Sequence, residues 1–120
     1  MTPMAEGRPQ YKSHPLWEAA IRLAHDAYGL ADAIRSADPD AAGEIRRVAV
    51  SVPARIAGAL SAESSGEKES EAAGASAALV WLAARAERAN APQSEGLADR
   101  ARQLSRGVGL ALRGEDGPVC

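Results

Sequence analysis

The chain has 120 residues and a formal net charge of −2, with 28 alanines, no phenylalanine, four tryptophan or tyrosine residues and one cysteine, Cys120. That length holds one domain with a single core, the charge excludes a global attraction for nucleic acid, and a lone cysteine excludes an internal disulfide. No apolar run approaches the roughly 20 residues of a membrane span and the N-terminus lacks a signal-peptide core, so a reducing cytoplasm is the expected location.

Alanine has the best helix propensity and β-branched residues are sparse, which predicts an all-α chain. Residues 1–12 hold two prolines and a glycine without any period and read as a flexible N-terminal tail. The bundle proper is expected over 13–113. Helix one starts at Ser13 to Pro15, with Ser13 or His14 as cap and Pro15 in the first turn, where its missing amide costs nothing. Leu16, Ala20, Leu23, Ala27, Leu30 and Ile34 repeat at 4-3-4-3-4, a bundle stripe. Trp17, Ile21, Ala24, Tyr28 and Ala31 follow one position on, so the apolar face is wider than one partner helix covers. It is either a broad core face or a surface buried between subunits.

The stretch SADPD, Ser36 to Asp40, stops helix one, and Asp38 or Asp40 can cap the next helix. Helix two is expected from Pro39 to Ala62. Its stripe of Ile45, Ala49, Val52, Ile56 and Ala59 passes through Pro53 without changing phase. A proline in a helix interior costs about 3 kcal/mol, because it removes one hydrogen bond and crowds the carbonyl four residues back. Local propensity therefore argues for a break and the unbroken stripe for a kink; the kinked helix is the reading adopted. Ser51 can assist by donating to a carbonyl one turn back.

A polar turn, Ser64 to Ser70, leads into helix three, expected over Glu67 to Ala89. Ser65 with Lys68 makes a weak cap, and the nearby glutamates suit the positive end of the helix dipole. Ala72, Ala75, Leu79, Leu82, Ala86 and Ala89 form its stripe, with Ala73, Ala77, Val80 and Ala84 on a second face. Asn90 is a candidate helix stop before Pro92. Helix four begins near Ser94, with Leu97, Ala101, Leu104, Val108 and Leu112 as its stripe; Gly107 and Gly109 imply either close packing or a frayed end. Residues 114–120 read as a C-terminal tail. Three short connections between four helices predict an antiparallel up-down-up-down four-helix bundle, kinked at Pro53.

Catalytic and metal signatures are sparse. His14 precedes a proline, and His25 beside Asp26 lies on a helix where neighbours point about 100° apart. Two scattered histidines and a terminal cysteine give no ligand spacing, and no phosphate-binding glycine loop occurs. The cluster Glu63, Glu67, Glu69 and Glu71 reads as a solvated helix start. A non-enzymatic protein without cofactor or metal is expected. Twelve of the fourteen basic residues are arginine, and Arg85 to Arg113 carries a net +3. Arg46, Arg47, Arg55, Arg85, Arg88, Arg100, Arg102 and Arg106 lie mostly off the apolar stripes. They form either a charged solvent face, paired with Glu44, Glu87 and Asp99, or a patch that contacts phosphates or a partner.

The run Arg47-Val48-Ala49-Val50-Ser51-Val52-Pro53-Ala54-Arg55-Ile56-Ala57 resembles the second helix of the four-helix-bundle proteins found in intervening sequences of bacterial large-subunit ribosomal RNA genes. Their pattern there is roughly R-A-x-S-[IV]-P-x-N-I-A-E-G. The Gly74 to Leu82 run is similar to the related accessory proteins of diversity-generating retroelements, and Trp17 and Tyr28 stand where the family keeps aromatics. The likeness covers Tyr11 to Arg113, with specificity in the helix-two motif. Arg55 replaces the family's Asn and Gly58 its Glu, so no role of those two residues carries over.

The doubled apolar faces of helices one and three and the scarcity of large core residues point to a self-associating adaptor or scaffold, and the resemblance implies that the assembly is a homopentamer. Trp17, Ile21, Tyr28, Val80 and Trp81 are the candidate oligomer interface. It also implies an alternative, an accessory protein that binds RNA or DNA beside a reverse transcriptase, although a pentamer of this chain would carry −10.

Overall fold

The computed structural model describes residues 10–89 and 91–113. Among them the fold is all-helical: a 3-10 turn (Gln10–Ser13), then α1 (Pro15–Ile34), α2 (Pro39–Leu60), α3 (Ser65–Ala89) and α4 (Ser94–Leu112). The expectations for Asn90, Cys120 and residues 1–9 and 114–120 lie outside the described residues. Gln10 to Lys12, expected in the N-terminal tail, belong to the 3-10 turn. Its Tyr11 packs edge-on against Trp17, with ring centroids 5.6 Å apart.

The starts of α1, α2 and α3 each have a local chemical cause, whereas Gln93 before α4 makes no capping side-chain bond. His14 caps α1, its Nδ1 accepting from the Leu16 amide at 3.1 Å, and Pro15 follows at a position that has no amide to satisfy. Asp38 caps α2 through the Ala41 amide at 3.1 Å. The start of α3 differs from expectation: Ser64, not Ser65, accepts from the Glu67 amide at 3.1 Å, and the Glu67 carboxylate turns back to the Glu63 amide at 3.2 Å. This is close to a reciprocal capping box, and it starts the helix two residues before Glu67.

α2 runs without interruption through Pro53, which is buried together with Val52 and Ile56. Ser51 Oγ donates to the Val48 carbonyl at 2.6 Å, one turn back. The core is built from the expected stripes. Ala20, Leu23, Ala27 and Leu30 of α1 meet Ile45, Ala49, Val52 and Ile56 of α2, Ala75, Leu79 and Leu82 of α3, and Leu97, Ala101, Leu104 and Val108 of α4. Leu16, Ile34 and Ala89, at the helix ends, are partly buried. Successive helices pack on one another and α4 returns to α1. A Cβ on Gly107 would sit 3.3 Å from Leu16 Cδ2 of α1 and Gly109 is buried, so close packing carries α4 past both glycines to Leu112. No helix among the described residues is long and apolar enough to cross a membrane.

Candidate interaction surface

Alanine-rich stripes let helices approach closely, but each alanine buries little area at about 25 cal/mol per Å². The larger apolar side chains that could add to the core are partly spent on the outside. Ile21 is 41% exposed, Tyr28 42%, Val50 53%, Val80 58% and Leu110 55%. Three of these converge. Ile21 and Tyr28 of α1, with Val50 and Pro53 of α2, line a groove of about 460 Å³ whose remaining walls are Ala24, Gly29, His25 and Asp32. Along α1 these residues recur at the spacing of one helical face, a turn apart and one position beyond the core stripe. The Arg46 guanidinium lies 5.7 Å from the Tyr28 ring centroid and also pairs with Asp32, so one edge of the groove is held in place.

Of the five residues expected at an oligomer interface, Ile21 and Tyr28 lie in this groove. Val80 is exposed on α3, while Trp17 and Trp81 are half-buried against the core. Val50 was missed, though it carried a signal: it is a lone large aliphatic at helical spacing between Arg47 and Ala54, on the polar side of α2. Leu110 is its counterpart on α4.

The arginines are arranged differently from a free basic patch. Arg46 pairs with Asp32, Arg47 with Glu44 at 3.4 Å, Arg55 with Glu71 at 3.6 Å, Arg85 with Asp38 at 3.6 Å and Arg102 with Glu87 at 2.6 Å. Arg100 pairs with Asp26, and Arg113 with Glu69 at 2.9 Å. Asp99, an expected partner, is in none of these pairs; Arg88 and Arg106 make no ion pair among the described residues. Most pairs cross between helices with one polarity. Carboxylates on α1 and α3 meet arginines on α2 and at α4, so every seam of the four carries at least one pair. Such exposed pairs are worth only about 0.2–1 kcal/mol each, but their alternation favours neighbours over diagonals.

At the α2–α3 seam the pair is set into glycines. A Cβ on Gly74 would lie 2.6 Å from Arg55 Nη1, and one on Gly58 would lie 3.0 Å from the Glu71 carboxyl carbon. Each side chain of the pair lies across a glycine of the opposite helix.

The two histidines lie in different settings. His14 Nδ1 is engaged in the α1 cap, and His25 stands 4.0 Å from Asp26, beyond hydrogen-bond reach, while Asp26 turns to Arg100. Among the described residues no three His, Cys, Asp or Glu side chains group to hold a metal. Comparison of the chain with protein-family models, with curated proteins and with solved structures finds no match.

Proposed function

We propose that this protein is a non-enzymatic, cytoplasmic adaptor or scaffold that works as a self-associated assembly, a homopentamer by the resemblance of its helix-two motif. The observation that carries this reading is the α1–α2 groove, where Ile21, Tyr28 and Val50 stay in water although the core is mostly alanine. A second copy covering that face removes the apolar area and strengthens a subunit whose own core is thin. Charging the groove tests it. Sedimentation equilibrium of Ile21→Glu/Val50→Glu should give a smaller assembly than the parent chain at equal concentration, and an unchanged assembly would overturn the role of this face.

The same proposal includes the topology. An up-down-up-down arrangement is supported by the order of the cross-helix pairs. Arg55 reaches Glu71 while Arg85 reaches back to Asp38, and Arg102 meets Glu87 while Arg113 meets Glu69. Later residues of one helix thus meet earlier residues of the next. A kink at Pro53 is supported by the lost amide donor inside a continuous helix and by Ser51 bonding to a carbonyl there.

An accessory protein that contacts nucleic acid beside a reverse transcriptase is the second reading. Arg88 and Arg106, which have no carboxylate partner among the described residues, are what favours it. A mobility shift that weakens steeply with salt and is lost in Arg88→Gln/Arg106→Gln would raise it above the scaffold.

A further inference from the structure

We propose that the seam between α1 and α4 is a binding site for a small amphipathic monoanion, an aliphatic monocarboxylate, a role independent of self-association. A cavity of about 380 Å³ opens there between two facing helical stripes, Ala19, Arg22, Leu23 and Asp26 of α1 and Arg100, Gln103 and Leu104 of α4. Its volume is within the range of small-molecule sites, which combine an apolar lining with a few placed polar groups. Here the partly exposed Ala19 supplies apolar surface, together with the edges of the buried Leu23 and Leu104. Leu23 and Leu104 are core residues, so the apolar part of a ligand would continue the core outward.

The polar side is held ready. Arg100 Nε donates to the Gly96 carbonyl of its own helix at 3.3 Å and Nη1 bonds Asp26, which fixes the guanidinium in place before any ligand arrives. Arg22 lines the same cavity and, like Arg88 and Arg106, makes no ion pair among the described residues, in contrast to Arg46, Arg55, Arg85, Arg100 and Arg102. Gln103 adds an amide donor. Two arginines against one aspartate leave the lining at +1, which matches a carboxylate and not a phosphate dianion. The carboxylate accepts from Arg22 and Gln103, with Arg100 beside it, and the alkyl chain lies along Ala19 and over the edges of Leu23 and Leu104.

Octanoate is a suitable probe, titrated into the full chain while methyl NMR resonances are followed. Saturable shifts at Leu23 and Leu104 are expected, with octanol binding far more weakly. Arg22→Gln should weaken octanoate binding about tenfold, the loss of one charge-assisted hydrogen bond, with the circular dichroism unchanged. Absence of saturation, equal binding of octanoate and octanol, or shifts confined to Ile21 and Val50 in the other groove would each overturn the site.

Discussion

α1 carries two apolar stripes one residue apart, and they meet different ends. Ala20, Leu23, Ala27 and Leu30 are enclosed by the other helices, while Ile21 and Tyr28, about 100° further round, keep two-fifths of their surface in water. The stripes differ in their neighbours rather than in their affinity for water. Small residues on the inner stripe allow close packing, and the bulkier outer pair meets only the flank of α2. Apolar surface that four helices would ordinarily share inside is left on the outside, which is why the groove, and not the core, carries the functional reading.

The largest expected effect is on the inner side. Ile56→Asp places a charge without a partner in the centre of α2's buried face and should destabilise the chain by about 4 kcal/mol or more, leaving it unfolded by circular dichroism. Arg55→Asp, one residue away, faces Glu71 in a half-exposed pair and should cost about 1 kcal/mol. Similar melting shifts in the two variants would mean the phase of α2 is wrong.

Ser64→Ala comes next. It removes the acceptor of the Glu67 amide and should lower stability by about 1 kcal/mol in a urea titration. Glycine substitutions sharpen the inside-outside contrast further. Gly43→Ala meets nothing within 4 Å and should raise stability by up to about 1 kcal/mol through helix propensity alone. Gly74→Ala forces Arg55 aside and should lose most of that gain. Smallest of all for the isolated fold is Ile21→Glu, expected to shift stability by no more than about 0.5 kcal/mol while reducing the mass of the assembly.

Much of this architecture was legible in the residues. The stripes and the back-bonding of Ser51 follow from local chemistry, which is what a sequence displays; the residues narrow the caps to Ser13 or His14 and to Asp38 or Asp40, and the fold selects His14 and Asp38. The capping serine of α3 was assigned one position late, because Ser64 and Ser65 are adjacent and only the Glu67 amide and carboxylate choose between them. The carboxylate partners were mostly hidden. Asp26, Asp32, Glu69 and Glu71 lie 14 to 74 residues from some of the groups they meet, and sequence spacing says nothing of cross-helix distance. Of the arginines that looked like one basic patch, Arg46, Arg55, Arg85, Arg100 and Arg102 are therefore divided among four seams. Arg22 and Gln103 were not singled out either, since their shared cavity exists only once α4 lies against α1.

Molar mass by light scattering on the eluting wild-type chain tests the central claim most directly. A discrete multiple of 12.4 kDa is expected at micromolar concentration, fivefold for the homopentamer proposed above. A single species at 12.4 kDa would contradict it, for the exposed Ile21, Tyr28 and Val50 would then be stable in water without a second copy to cover them.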